Sequence, residues 1–298
     1  MTARRLVPIV DGYTYLEGPR WYDGRLWVSD FYSHTVIAVT PEGKVEEIAT
    51  VPQQPSGLGW LPDGTLLIVS MKDRKLLRLE SGRLVEHADV SALTGGHIND
   101  MVVDAQGRAY VGNFGFDLMA GAPYRSTTVV RVDADGTTAV AADGLMFPNG
   151  SVITPDGRTL IVDETFGNRI SAFDIRSDGS LGPRRDWANF GSLPDTDSVD
   201  ELVAAASIGP DGNCLDSEGA LWVADALNRR VVRVAEGGEI LEEISTGEEG
   251  VFACMLGGED GRTLFLCVAP NFDEKERSST RLGRLVATTV DVPHAGTP

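Results

Sequence analysis

Six residues occupy equivalent places in a repeated sequence pattern, and each opens a short apolar segment that runs into a tight turn. The turn is built on Asp-Gly or an equivalent dipeptide, six to eight residues downstream. The six residues are Glu17, Ser56, Asn99, Asn149, Asp211 and Phe252. Four of them are carboxylate or amide residues, which are depleted from strands. Their shared position indicates one common site rather than four unrelated turns.

Two carboxylates and two amides in a narrow space would repel one another and lack partners unless a cation lay between them. Ligands that offer only oxygen suit a hard divalent cation, Ca²⁺ first, with Mg²⁺ or Mn²⁺ as alternatives. Zn²⁺ is less natural because no His or Cys joins the set, although it can substitute. Taken singly, Asn149-Gly and Asp211-Gly also fit simple turns. Taken in register, Glu17, Asn99, Asn149 and Asp211 predict one divalent metal site.

The segments around these positions have the pattern of strands. Short runs of alternating apolar and polar residues are bounded by Gly, Asp, Pro or Asn, and further strand-like runs follow, for example at residues 35–39 and 169–174. Six units of about 40 to 50 residues, each a small antiparallel sheet, predict an all-β, six-bladed β-propeller that spans residues 1–298 as one domain. A solenoid is the alternative, but it would need polar capping repeats, which the sequence lacks.

The innermost strands of a propeller surround a central channel, so the six equivalent residues form a ring at one mouth of it. We call these six residues the mouth ring. His97 stands two residues before Asn99, so it is expected at the same rim, in contact with substrate or in a structural role. Two stretches interrupt the repeat, residues 117–125 and residues 190–210, and the second has room for one short helix. Long insertions in a regular repeat form surface loops that often carry function.

Composition excludes several classes of partner. The 298 residues carry a formal net charge of −18, which would repel nucleic acid and anionic membrane surfaces. No apolar run approaches the roughly 20 residues of a membrane helix, and no secretory signal opens the chain, so the cytoplasm is expected. The three widely spaced cysteines are predicted to be buried free thiols. The sequence carries no sign of an oligomeric state.

Four segments in order resemble the signature segments of the SMP-30/gluconolactonase/LRE family. They are residues 16–21 (LEGPRW), 97–101 (HINDM), 147–150 (FPNG) and 210–216 (PDGNCLD). The resemblance covers essentially the whole chain, and it implies a six-bladed propeller with a central divalent cation. Most characterised members of the family are lactonases, and a related branch hydrolyses organophosphorus fluorides.

The resemblance also implies roles for single residues. Glu17, Asn149 and Asp211 correspond to the metal ligands of the family, and Asp211 to its proposed acid/base residue. Asn99 corresponds to an amide that contacts substrate near the metal. The implied reaction is hydrolysis of a small-molecule lactone or ester, with the carbonyl polarised by the metal and the proton moved by Asp211.

One departure from the family bears on the substrate. Sugar lactonases of the family often carry Arg where this chain has His97, and Met101 and Phe147 predict a more apolar rim than a sugar needs. A different or more hydrophobic lactone or ester is therefore expected. The alternatives are a phosphotriester or fluorophosphate hydrolase, a non-hydrolytic biosynthetic enzyme on the same metal, or a non-enzymatic scaffold with a structural Ca²⁺.

Overall fold

A computed structural model describes residues 4–296, so residues 1–3 and 297–298 of the predicted domain lie outside the described part. Its strands form six antiparallel sheets of four strands each, which confirms the six-bladed β-propeller. In five blades the strands follow sequence order from the innermost to the outermost. These strands are β2 (Leu16–Tyr22), β3 (Arg25–Asp30), β4 (Thr35–Val39) and β5 (Val45–Thr50); β6 (Pro55–Trp60), β7 (Leu66–Ser70), β8 (Lys75–Glu80) and β9 (Arg83–Asp89); β10 (Ile98–Val103), β11 (Ala109–Asn113), β12 (Thr127–Val132) and β13 (Thr138–Leu145); β14 (Pro148–Ile153), β15 (Thr159–Glu164), β16 (Arg169–Asp174) and β17 (Arg185–Asn189); β18 (Pro210–Leu215), β19 (Leu221–Asp225), β20 (Arg230–Val234) and β21 (Ile240–Ser245).

The sixth blade joins the two ends of the chain. It contains β22 (Gly250–Gly257), β23 (Thr263–Ala269) and β24 (Gly283–Thr289), and its outermost strand is β1 (Val7–Tyr13) from the beginning of the chain. Strand β1 pairs antiparallel with β24, so the first strand of the chain closes the circle of blades. The pairing also covers an edge of β24 that would otherwise expose unpaired backbone groups.

The six innermost strands lie next to one another around a central channel, β2, β6, β10, β14, β18 and β22 in order and then β2 again. Glycine permits this close approach. A Cβ atom at Gly150 would lie 2.3 Å from the carbonyl oxygen of Asp211, and one at Gly212 would lie 2.7 Å from Cα of Ala253. Asn149-Gly and Asp211-Gly therefore lie inside strands β14 and β18 rather than in turns.

The predicted Asp-Gly turns join the inner strands to their neighbours. Gly64 and Gly157 adopt φ values of +85° and +70°, the left-handed region that glycine enters without steric cost. The flanking strands alternate as the sequence pattern predicts, and their apolar side chains pack between blades. Valines such as Val28, Val111 and Val162 are fully buried there.

Few residues lie in helices. Helix α1 (Val199–Ala205) confirms the predicted helix in the second insertion, and Ser198 caps it by accepting from the Glu201 N–H. Helix α2 (Glu274–Arg277) lies between β23 and β24, and a short 3-10 helix spans Leu118–Ala120. No helix within residues 4–296 is long and apolar enough to cross a membrane. The three cysteines are buried and free, as predicted.

Candidate functional site

The structure places the four predicted polar residues at the same end of their inner strands. Glu17 lies near the start of β2, Asn99 of β10, Asn149 of β14 and Asp211 of β18. Each is buried, with an exposed fraction between 3% and 7%. The mouth ring is thus a set of enclosed polar groups contributed by different blades.

A chain of hydrogen bonds connects four members of the mouth ring. The Ser56 hydroxyl donates to Oδ1 of Asn99 at 2.8 Å, and Nδ2 of Asn99 donates to Oδ1 of Asn149 at 2.8 Å. Nδ2 of Asn149 then donates to Oδ1 of Asp211 at 2.5 Å and to the Thr165 hydroxyl at 3.0 Å. The two amides are therefore satisfied by their neighbours, and the chain ends on a carboxylate.

The two carboxylates of the mouth ring are poorly compensated. Glu17 accepts from the N–H of Gly18 at 2.7 Å, and Asp211 accepts only from Asn149 within residues 4–296. Burial raises the pKa of Glu17 well above its ordinary value, and the charge of Asp211 raises it further. Burial likewise raises the pKa of Asp211, with the charge of Asp100 adding to it. This end of the channel favours positive charge.

An ion pair that was not predicted lies beside the mouth ring. Nη2 of Arg20 contacts both carboxylate oxygens of Asp100, at 2.9 Å and 3.1 Å, and donates to the carbonyl of Met101 at 2.6 Å. Both side chains are almost fully buried. Neither residue occupies a marked position of the repeat, so the sequence pattern carried no signal for this pair. The Arg20 guanidinium makes its ion pair with Asp100, and its charge lowers the pKa of Glu17 only against the larger raising effect of burial.

The donor set fits a hard divalent cation. Glu17 and Asp211 offer buried carboxylate oxygens that lack a basic partner within residues 4–296, and Asn149 offers an amide oxygen beside them. Carboxylate and amide oxygens are the ligands that Ca²⁺ prefers. The His, Cys, Asp and Glu side chains of the described residues form no metal-binding cluster of three, so the candidate site depends on its amides.

His97 lies at the rim, as predicted, but against an aromatic ring. Its imidazole is half-buried and lies 5.8 Å from the ring of Phe114, and it makes no hydrogen bond within residues 4–296. Burial lowers the pKa of His97, and the charge of Lys72 lowers it further, so the imidazole is neutral near pH 7.

Aromatic side chains flank the mouth ring on two sides. On one side Tyr15, two residues before Glu17, has its ring 5.0 Å from that of Phe252. On the other side Phe147, two residues before Asn149, has its ring 4.6 Å from that of Phe114. The predicted apolar rim is therefore present at Phe147.

Met101 departs from that prediction. It is fully buried in the same apolar cluster as Phe147, below the rim. Met101 lies two residues further along β10 than Asn99, and thus further from the mouth of the channel. The sequence pattern alone did not reveal this position.

Three loops surround the mouth ring. Two of them, residues 114–126 and 190–209, correspond to the insertions predicted at 117–125 and 190–210. They meet where the N–H of Tyr124 donates to the carbonyl of Asp197 at 2.8 Å. Residues 270–282 form a third loop, which was not predicted, and the Tyr32 hydroxyl donates to the Phe272 carbonyl in it at 2.7 Å. All three connect to strand ends on the mouth-ring side.

A separate cavity of about 170 Å³ lies at the opposite end of the channel, where Ile153 and Leu215 end the strands that Asn149 and Asp211 begin. Asn213, Met255 and His294 also line it. None of the predicted site residues lines this cavity, so it is not the candidate site.

Comparison with known proteins identifies one family, and the relatives found agree with it. The model of the SMP-30/Gluconolactonase/LRE-like region matches residues 16–270. A 6-deoxy-6-sulfogluconolactonase of Pseudomonas putida is 28% identical over 67% of this chain, and the match spans 64% of that relative, just under two thirds of its length. Pentonolactonase XacC of Haloferax volcanii is 26% identical over 85% of this chain and 81% of its own.

Solved structures show the same fold. Regucalcin from Agrobacterium tumefaciens, described as a calcium-binding protein, superposes with a TM-score of 0.78 at 20% identity, covering 99% of this chain and 96% of that one. A gluconolactonase from Xanthomonas campestris superposes with a TM-score of 0.72 at 24% identity, covering 96% and 90%. At these identities the similarity supports the fold alone.

Proposed function

The chain belongs to the SMP-30/gluconolactonase/LRE-like family, and from that premise we propose that it is a divalent-metal-dependent hydrolase that opens lactones. The observation that carries the proposal is the pair of buried carboxylates, Glu17 and Asp211, on one ring with two amides. Such a pair is unfavourable in an empty core and favourable around a cation. The lactonases among the relatives support the same class of reaction.

Glu17, Asn149 and Asp211 would hold the cation, for which Ca²⁺ is the first candidate and Mg²⁺, Mn²⁺ or Zn²⁺ the alternatives. When bound, a divalent cation supplies Lewis-acid polarisation of the lactone carbonyl. The hydrogen bond from Asn149 fixes the orientation of the Asp211 carboxylate. One strand-borne amide thus orients the group that we assign to proton transfer.

Asp211 acts as the acid/base residue. It takes a proton from the attacking water as the new bond from oxygen to the carbonyl carbon forms. When the bond between that carbon and the ring oxygen breaks, Asp211 returns the proton to the leaving oxygen, and a hydroxy acid results. Its Oδ2 makes no hydrogen bond within residues 4–296, so one oxygen is available for this role.

Asn99 and His97 position the substrate. Asn99 holds its amide in a fixed orientation between Ser56 and Asn149, which preorganises it for contact with a bound carbonyl or ring oxygen. His97 adds a neutral imidazole at the rim beside Phe114. The aromatic groups near Tyr15 and Phe147 exclude water from the reacting end of the channel.

The test is Asp211→Asn, assayed over aldono-, γ-, δ- and aromatic lactones in Ca²⁺, Mn²⁺ and Zn²⁺. Loss of the proton-transfer group is expected to abolish turnover while the circular dichroism spectrum stays that of the wild type. EDTA should inactivate the wild type, and the added metal should restore it. Asp186→Asn, on the exposed outer strand β17, is the matched control and should keep full activity.

Full lactonase activity in metal-stripped protein would contradict the metal-dependent mechanism. Hydrolysis of a phosphotriester in place of every lactone would instead assign the same site to the alternative reaction.

A further inference from the structure

Arg277 is a buried cation with unused hydrogen-bond donors. It lies in helix α2, and its side chain is 4% exposed. Its Nε and Nη1 are enclosed and have no hydrogen-bond partner within residues 4–296. The nearest carboxylate is the exposed Glu276, with 3.5 Å between Nη2 and Oε2.

A guanidinium in this state is unfavourable on its own. Removing a charge from water is strongly unfavourable unless an opposite charge and hydrogen bonds replace the solvent. Arg20, whose side chain is equally buried, shows the usual solution in this protein, since Asp100 accepts from it at 2.9 Å. The protein supplies no such partner for Arg277 in the described residues, so its charge is left without a compensating anion.

The loop that carries Arg277 extends across the mouth-ring side of the propeller. Its Phe272 accepts a hydrogen bond from Tyr32 of blade one, and its Glu274 forms an ion pair of 2.7 Å with Lys72 of blade two. The Phe272 ring also lies 6.4 Å from that of Phe252, which is itself a member of the mouth ring. Loop 270–282 therefore borders the candidate active site.

Tyr32 lies between loop 270–282 and Tyr15 on the mouth-ring side. Its ring is 5.8 Å from that of Tyr15, two residues before Glu17. Burial raises the pKa of Tyr32, and the charges of Glu274 and Asp273 in the loop raise it further. Tyr32 thus contacts the loop that carries Arg277 through Phe272 and the mouth-ring side through Tyr15, which connects this loop to the candidate site.

We propose that Arg277 binds an anionic substituent, of the carboxylate class, on the molecule that reaches the mouth ring. This specificity assignment rests on the proposed function, since it places the anion on a lactone substrate. A planar guanidinium suits a carboxylate better than a lysine would, because its N–H groups match the geometry of the two oxygens. The burial of the guanidinium strengthens such a pair, because a hydrogen bond is electrostatically stronger away from water.

The test uses lactams, which have the shape of a lactone but resist hydrolysis. Binding of 5-oxopyrrolidine-2-carboxylate and of its neutral carboxamide to the Ca²⁺-saturated protein is measured by isothermal titration calorimetry. The wild type is expected to prefer the carboxylate by about tenfold, the contribution of a charge-assisted hydrogen bond. Arg277→Met should lose the preference and bind the carboxamide as before, and Arg277→Lys should keep part of it.

Arg281→Met is the matched control, because Arg281 lies in the same loop but is 62% exposed at its side chain. It should keep the preference of the wild type. Thermal melting of Arg277→Met should show no loss of stability, since an uncompensated buried charge has been removed. Retention of the preference in Arg277→Met, or a marked fall in its melting temperature, would overturn the proposal.

The lactam experiment does not require turnover. A carboxylate preference that depends on Arg277, in a protein that opens no lactone, would refute the proposed reaction and leave the anion site standing. Turnover of neutral lactones without any such preference would refute the anion site at Arg277 and leave the proposed reaction standing.

Discussion

At the scale of residues, the mouth ring is ordered by the direction of its hydrogen bonds. Ionised Asp211 can only accept, so Asn149 must turn its NH₂ group toward it. Asn149 then presents its oxygen to the NH₂ group of Asn99, whose own oxygen is left to face Ser56. A single carboxylate thereby sets the orientation of two amides in neighbouring blades.

Ser56→Ala tests this order at its far end. The substitution removes the donor to Oδ1 of Asn99 and allows that amide to rotate, while Glu17, Asn149 and Asp211 remain in place. We expect kcat/KM for a lactone to fall about tenfold, as the loss of one hydrogen bond predicts, with an unchanged Kd for Ca²⁺. Steady-state kinetics and calorimetric metal titration measure the two quantities.

Ser151→Ala is the matched control for Ser56→Ala. Ser151 is also a buried serine on an inner strand, and its hydroxyl donates to the backbone carbonyl of Asn149. Activity close to that of the wild type is expected from it. If both variants lose activity equally, the order of the amides has no catalytic role.

At the scale of elements, the spacing of the inner strands decides whether the mouth ring can form. Strands β14 and β18 approach so closely at Gly150 that an added Cβ would lie 2.3 Å from the Asp211 carbonyl oxygen and 2.7 Å from the Asn213 nitrogen. Both contacts are with backbone, which cannot rotate aside. Asn149 and Asp211, on either side of this contact, depend on it for their hydrogen bond.

Gly150→Ala should therefore force the two strands apart. Overpacking of a tight core costs about 1–3 kcal/mol, so the free energy of unfolding should fall by this amount in urea titrations. Calcium binding should weaken as well. Gly157→Ala is the control, because a Cβ there meets no atom within 4 Å and only the positive φ is disfavoured. Equal Ca²⁺ affinity in the Gly150→Ala variant would show that the strand spacing does not set the site.

Much of this architecture could be predicted because each blade repeats the same local pattern. Alternation gave the strands, as at Thr35–Val39 and Arg169–Asp174, and the Asp-Gly turns placed the blades in register. That register brought Glu17, Asn99, Asn149 and Asp211 to one end of the channel. Periodicity suffices for these features since they depend on position within a repeat.

Features that depend on contact between distant blades could not be predicted in this way. The ion pair of Arg20 with Asp100 joins two strands that are 80 residues apart, and neither residue is singled out by the repeat. Loop 270–282 is polar and aperiodic, so its position over Tyr32 follows only from the closed circle of blades. The hydrogen-bond order among Ser56, Asn99 and Asn149 likewise requires the packed structure.

At the scale of the whole molecule, the circle of blades brings together two buried carboxylates that repel each other. Glu17 enters from blade one and Asp211 from blade five, and burial raises the pKa of both carboxyls. A carboxylate whose charged form is disfavoured in the folded state lowers the stability of that state at neutral pH. A divalent cation would compensate the repulsion between these two carboxylates and join the blades that supply its ligands.

Glu17→Gln should therefore have opposite effects on the two forms of the protein. In EDTA the variant should melt at a higher temperature than the wild type, because one of two buried like charges is gone. In Ca²⁺ the order should reverse. Wild type gains about 2.7 kcal/mol at a free Ca²⁺ concentration of about 100 times Kd, whereas the variant lacks a ligand and gains little. Differential scanning calorimetry with and without Ca²⁺ measures both effects.

Glu164→Gln separates this behaviour from that of any buried carboxylate. Glu164 is fully buried too, but Arg169 donates to it at 2.7 Å and 2.8 Å, so its charge is compensated. Removing that charge leaves a buried guanidinium poorly paired, and the variant should melt at a lower temperature in both EDTA and Ca²⁺. The explanation would be contradicted if Glu164→Gln were stabilised or if Glu17→Gln were destabilised in EDTA. Either result would show that a cation does not act by compensating repulsion between the carboxylates of the mouth ring.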